Sequence, residues 1–294
     1  MVVSALLSLV FCGIIPDNVL VVYNQASSDG IEISNYYSQV YPGVHLLGLT
    51  GVTTSENTTV DDYLTTIRPQ IVSALNPNIS VIATTKGLPL RIYNNHSNPG
   101  DYTDPTGVLR HSYTWNLYSS LESELTRIDS FSMWQQIGDQ WKYYNDTPCL
   151  NPWWRPLTQN NSFDFPTYGI RLTSRLDGYT VSDIKNSINR AKLAWNVPNS
   201  RWMVLDDDPS APATSRLIAE CQGSVQLAGQ VSVYDNTYAN ITTAPGPIIG
   251  YVSNGQYGFR VPSGQPNWTN QLDFNIANGA FFSTYESYNG GVKP

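Results

Sequence analysis

Short apolar runs alternate with amphipathic stretches along most of the chain. Residues 18–23 (Asn-Val-Leu-Val-Val-Tyr) form a run of buried-strand length. The turn-rich Ser27-Ser28-Asp29-Gly30 follows it. Residues 31–40 then read as a helix, with Ile33, Tyr36, Tyr37 and Val40 on one face. A second strand is expected over 44–49. A second helix is expected over 59–75, striped by Tyr63, Leu64, Ile67, Ile71, Val72 and Leu75. Pro69 inside that helix predicts a kink or break, because proline lacks the amide hydrogen and crowds the preceding turn. A third strand is expected over 79–84.

The alternation pauses between residues 93 and 165. That stretch is rich in Asn, Pro, Tyr and Trp, and holds one helical piece at 113–128. Its aromatic content argues for an insertion that packs, not a disordered linker. The alternation then resumes, with strands expected at 169–173, 202–205, 231–234, 248–252 and 280–284. Helices are expected at 180–195, 213–227 and, weakly, 272–277. Thr180 and Asp183 have the spacing of a reciprocal N-terminal cap. Strand and helix in this alternation predict an α/β fold with a mostly parallel sheet flanked by helices. The expected organisation is a leader over 1–15 and one α/β domain over 16–294, carrying the insertion at 93–165.

Composition narrows the setting. Charged residues are 13% of the 294, against a usual share of about 25%. The deficit is filled by neutral polar residues and by 19 Tyr and 8 Trp. Such a surface is common outside the cell. The net charge of -7 and the absence of any basic cluster argue against nucleic acid as a partner. Residues 2–15 form an apolar run too short to span a bilayer, which takes about 20 residues. A signal-peptide core and a buried first strand both suit that run, so a secreted or envelope location is the expectation, with no membrane span in the mature chain.

Cys12, Cys149 and Cys221 are the three cysteines. A Cys149–Cys221 bridge would contribute roughly 4 kcal/mol in the chain-entropy model, but two separate thiols fit the sequence equally. Sequons begin at Asn57, Asn78, Asn95, Asn145, Asn160, Asn240 and Asn267. They are glycan acceptors in a eukaryotic secretory pathway and chance matches elsewhere.

In an open parallel sheet, ligands bind outside the carboxyl ends of the strands. The candidate ligand-binding residues are therefore Lys86, Arg91, Arg175, Asp177, Asp206, Asn254 and Glu286, with Glu124 from the insertion. Asp206 and Asp208 carry the oxygen chemistry of a hard divalent cation, the one cofactor the sequence admits. The simpler reading of Asp206-Asp207-Asp208 is a solvated strand end. Arg175 and Asp177 suit either a carboxylate clamp or a local ion pair. Lys86-Gly87 lacks the glycine spacing of a phosphate loop. Glu122 and Glu124 stand two apart on a helix, so they do not share a face. His45, His96 and His111 follow no strand end, and no Gly-x-Ser-x-Gly elbow occurs.

Several segments together resemble one family. They are Pro16-Asp17-Asn18-Val19-Leu20-Val21-Val22, Thr84-Thr85-Lys86-Gly87-Leu88-Pro89-Leu90-Arg91-Ile92, Leu121-Glu122-Ser123-Glu124-Leu125, Asn151-Pro152-Trp153-Trp154 and Leu172-Thr173-Ser174-Arg175-Leu176-Asp177-Gly178. Ile249-Gly250-Tyr251-Val252-Ser253-Asn254-Gly255 and Asn278-Gly279-Ala280-Phe281 fit as well. The family is an uncharacterised group of exported bacterial proteins from species with the exosortase (PEP-CTERM) sorting system. Ser174 departs from its Thr-Arg-Leu-Asp-Gly pattern.

The layout also resembles the caspase-haemoglobinase-like fold of gingipain-type cysteine peptidases, whose catalytic His and Cys follow two successive late strands. Ser253-Asn254-Gly255 and Thr284-Tyr285-Glu286 stand at the matching places here. That resemblance therefore implies a peptidase-like scaffold without its dyad. The expected function is a non-catalytic binding or envelope-associated protein, with carbohydrate, peptide or an envelope component as the partner class. The alternative is a hydrolase using carboxylates or a divalent metal at the strand ends.

Overall fold

The computed structural model describes residues 14–93, 102–103, 109–110, 118–129, 134–137, 140–143, 169–194, 202–206, 222–223, 225, 231–236, 241–253 and 273–284. The chain divides into two compact units, Met1–Asn186 and Ser187–Pro294. Both are α/β in character, with all-parallel central sheets. Residues 1–13 of the leader, the three cysteines, His96, His111 and the sequons at Asn95, Asn145, Asn160, Asn240 and Asn267 lie outside the described residues. So do Asp208, Asn254, Glu286 and most of the helix expected at 213–227. Among the described residues no helix is long and apolar enough to cross a membrane.

In the first unit a single 3-10 turn, Pro16–Asn18, leads into β1 (Val19–Asn24). Helix α1 (Ser28–Val40) follows, and its N-cap Ser27 accepts a hydrogen bond from the Gly30 amide. Then come β2 (His45–Leu49) and the short β3 (Asn57–Thr59). The helix expected next is broken as Pro69 predicts. It consists of α2 (Val60–Asp62), a π-helical turn (Tyr63–Ile67) and α3 (Arg68–Ala74), in which Pro69 sits in the first turn. The wide turn absorbs the missing amide hydrogen of proline just before a new helix starts. After it come β4 (Val81–Thr85) and β5 (Arg91–Tyr93).

The insertion contributes β6 (Tyr102–Thr103) paired with β7 (Leu109–Arg110), then β8 (Tyr118–Ser120), helix α4 (Leu121–Thr126), and β9 (Trp134–Ile137) paired with β10 (Gln140–Tyr143). The helix expected over 113–128 is therefore shorter. Residues 118–120 pair antiparallel with β5, and Ser120 caps α4 by accepting from the Ser123 amide. The strand expected at 169–173 is β11 (Leu172–Leu176), three residues later. Its register against β4 sets that position, beginning with the Leu172 amide donating to the Ser80 carbonyl. Helix α5 (Val181–Ala194) begins with the predicted cap: the Thr180 amide and hydroxyl donate to Asp183, and the Asp183 amide donates back to Thr180 Oγ1.

The main sheet of this unit runs β2-β1-β4-β11, parallel throughout. Alternation along β1 divides its side chains between two layers. Leu20 and Val22 pack with Ile67, Ile71, Leu121 and Leu125 on one face. Val19, Val21 and Ala83 face the other, against Tyr37 of α1. Lys185 of α5 joins that second layer, pairing with Glu32 at 2.5 Å and lying over the Tyr36 ring. A smaller sheet, β3-β5-β8, lies within the same unit.

The second unit holds β12 (Trp202–Asp206), β13 (Val231–Asp235), β14 (Ile248–Ser253) and β15 (Ile276–Thr284). Their order is β13-β12-β14-β15, again all parallel. Val204, Ile248 and Tyr251 form its buried cluster, with Trp202 and Phe274 packed on it. The weak helix expected over 272–277 does not form. Ile276 already opens the last strand, and the Ile248 amide donates to the Asn275 carbonyl. Gly279 takes a φ of 76°, and the register against β14 shifts across it. A left-handed glycine interrupts a strand without ending it, whereas the hydrophobic period alone there suggested a helix.

Candidate functional site

The carboxyl edge of the first unit's sheet is where the sequence concentrates its candidates. Thr84 on β4 and Arg175 on β11 are register partners, so their side chains leave the sheet on the same face. Arg175 was expected after its strand and instead lies within it. Helix α4 packs over that face and delivers Glu122. Its Oε1 accepts from Thr84 Oγ1 at 2.7 Å and from Arg175 Nε at 2.8 Å, with Arg175 Nη2 at 2.7 Å. The rest of the Arg175 guanidinium donates to the Leu88 and Pro89 carbonyls at 3.2 and 2.6 Å.

Lys86 completes the arrangement from the other side. Its Nζ donates to the carbonyls of Gly178 and Tyr179 at 3.0 and 2.9 Å, and its amide donates to the Leu176 carbonyl. The two sequence motifs around Lys86 and Arg175 are thus the two halves of one interlock. Each motif's cation binds the other's backbone carbonyls. Gly87 is required at the junction: its φ is 91°, and a Cβ there would lie 2.1 Å from Ser27 Oγ. Asn24, which ends β1 and is fully buried, closes the crevice between β1 and β4. Its amide nitrogen lies within hydrogen-bond distance of the Val52, Thr53 and Gly87 carbonyls, and its Oδ1 accepts from the Ala26 amide.

The remaining candidates of this unit are not drawn into the interlock. Arg91 opens β5 and is exposed. Asp177 is exposed and accepts from the amide of Gly178 next to it. Glu124 is 1% exposed and points into the core, as its two-residue offset from Glu122 requires. It lies near Tyr63, whose buried hydroxyl has no hydrogen-bond partner among the described residues. Burial first, then the Glu124 charge, raises the Tyr63 pKa far above its ordinary value, with Arg68 opposing weakly. At the opposite end of the sheet, Arg171 is 1% exposed and holds Asp129 in a two-pronged pair at 2.5 and 2.8 Å, while also donating to the Ile79 and Asn76 carbonyls.

In the second unit Asp206 is the last residue of β12 and 6% exposed. The solvated strand end expected there is corrected at this residue: its Oδ2 accepts from Tyr251 Oη at 2.6 Å and from the Ile241 amide at 3.2 Å. Among the described residues no three His, Cys, Asp or Glu side chains gather as a metal site.

Sequence reasoning missed Glu122, Asn24, Arg171 and Tyr251. Asn24 carried a usable signal, a lone amide closing an apolar strand at a turn. Glu122 and Arg171 carried none, because their partners are Arg175 and Asp129, more than 40 positions away. Comparison of the chain with protein-family models, with curated proteins and with solved structures found no match.

Proposed function

We propose that the chain is an exported, non-catalytic binding or envelope-associated protein, built on a peptidase-like α/β scaffold that lacks the His/Cys dyad. The observation that carries this reading is the interlock. At the carboxyl edge of the first unit, Lys86, Arg175 and Glu122 have hydrogen-bonding partners within the chain. A group that must exchange protons or bonds with a substrate needs a free coordination position, and a saturated network favours rigidity instead. A second point supports the scaffold. Ser253 and Thr284, which end the two successive late strands, are register partners on adjacent parallel strands. These are the strand ends that the resemblance likens to the dyad positions of the peptidases, and this chain carries Ser and Thr there.

The test pairs a melting experiment with an activity screen. Purified protein is titrated with calcium and magnesium to millimolar concentration, and its Tm is followed; fluorogenic peptide, ester and glycoside substrates are assayed in parallel. The expected result is no turnover and no metal-dependent rise in Tm. A rise that disappears in an Asp206→Asn, Asp208→Asn double variant, together with turnover, overturns the reading in favour of a metal-dependent hydrolase. A ligand that binds only the folded state must raise apparent stability, so the two outcomes are distinct.

A further inference from the structure

Asn278 is the one asparagine followed by a glycine among the described residues, and it stands where its strand leaves the ladder. Strand β15 is the end strand of the order β13-β12-β14-β15. Its register against β14 is interrupted: Ile276 pairs with Ile248, and the next pair is Phe281 with Gly250. Ile249 alone therefore stands opposite Ala277, Asn278, Gly279 and Ala280. A bulge of this kind takes its extra residues out of the pairing. Neither Asn278 nor Gly279 has a register partner on β14. Both are exposed, and Gly279 holds a left-handed φ of 76°.

We propose that Asn278-Gly279 is a site of spontaneous deamidation in the folded protein. The reagents are the chain itself and water. Gly279 N attacks Asn278 Cγ, a C–N bond forms, and a five-membered imide closes. The side-chain amide nitrogen leaves as ammonia, carrying the proton that Gly279 N gives up. Water then adds across one of the two imide C–N bonds. Opening on the side-chain carbonyl returns an ordinary aspartate. Opening on the main-chain carbonyl gives isoaspartate, in which the backbone runs through Cβ and Cγ. Ring closure is hindered by bulk on the residue that follows and by a nitrogen fixed in a ladder. Gly279 brings no Cβ, and the bulge removes it from the pairing with β14. Asn275, three residues earlier and also exposed, supplies the contrast. The β-branched Ile276 follows it, and its carbonyl accepts from the Ile248 amide. Residues 276–284 carry no charge, so the reaction places a first negative charge on this strand.

Full-length protein held folded in mildly alkaline buffer at body temperature, sampled over weeks and mapped by mass spectrometry, tests the proposal. Chymotrypsin cleaves after Phe274 and Phe281, so Asn275 and Asn278 fall on one short peptide, and a zero-time sample sets the background of digestion. Asn254-Gly255 and Asn289-Gly290 repeat the dipeptide, so the site is assigned by peptide and not by total charge. We expect Asn278 to convert about tenfold faster than Asn275, a barrier difference of about 1.4 kcal/mol, with both isoaspartate and aspartate formed. Gly279→Ala should slow the conversion by a similar factor. Alanine is strained at that φ, and if the variant does not fold, the wild-type comparison of the two asparagines decides alone. Equal rates at Asn278 and Asn275 overturn the proposal. So does conversion of Asn278 only after unfolding in urea, which would mean that the folded strand protects it, and so does loss of ammonia confined to Asn254 and Asn289.

Discussion

The two units share one strand order and end their strands on different residues. Each has four parallel strands in the order second, first, third, fourth, so in each the order reverses direction between the first and third strands. In the first unit the strands end on Asn24, Leu49, Thr85 and Leu176. Two of those positions are leucines, Asn24 spans the crevice to three carbonyls, and the Lys86–Arg175 interlock ties down the loop beyond it. In the second unit the corresponding row is Asp235, Asp206, Ser253 and Thr284. Strand order thus sets which strand ends adjoin, and the residues at those ends decide what meets there.

The largest effect should come from breaking the interlock. Arg175→Ala strands Glu122 and the Leu88 and Pro89 carbonyls, and we expect a loss of about 3 kcal/mol in urea unfolding. A loss no larger than that of an ordinary surface substitution would show that the interlock does not hold the first unit's edge. Gly87→Ala should cost about 2 kcal/mol, since the new side chain meets both a left-handed backbone and the Ser27 cap of α1. Tyr251→Phe sharpens the comparison from the other side. It removes one hydrogen bond to a carboxylate and should lower stability by about 1.5 kcal/mol.

The smallest change in stability is expected at Tyr63. Its hydroxyl is buried without a partner among the described residues, so Tyr63→Phe should shift stability at neutral pH by no more than about 0.5 kcal/mol, or raise it. The pH dependence carries the sharper information. The folded-state pKa is raised above the ordinary 10.0, so the unfolded chain loses this proton first as pH climbs. Stability is complete below that value and falls as pH rises beyond it. In Tyr63→Phe, denaturation midpoints measured above pH 10 should decline less steeply than in wild type.

Much of the architecture was legible in local pattern. The apolar runs that became β1, β2, β4, β12, β13 and β14 are short, bounded by turn residues and strongly contrasted with the amphipathic stretches between them. The break at Pro69 and the Thr180–Asp183 cap were legible for the same reason: their chemistry is complete within a few residues. The last strand was partly misread because Asn278-Gly279 interrupts its period. The helix at α4 was overextended because the pairing of β8 with β5 lies beyond any local window.

The candidate site divides along the same line. Reading polar residues after strands named Lys86, Arg175 and Asp206 as ligand-binding candidates, and the structure gives each a partner within the chain, while the i, i+2 offset separated Glu122 from Glu124. Alone, the sequence determined which segments are strands and helices and which charges stand near their ends. Tertiary structure alone decided what those charges meet: that Arg175 sits inside its strand opposite Thr84, that Glu122 is its partner, and that Asp206 is buried against Tyr251. The physical reason is range. Hydrophobic periodicity and capping act over a few residues, whereas a hydrogen bond between side chains 45 or 53 positions apart exists only once strand order and register have brought them together.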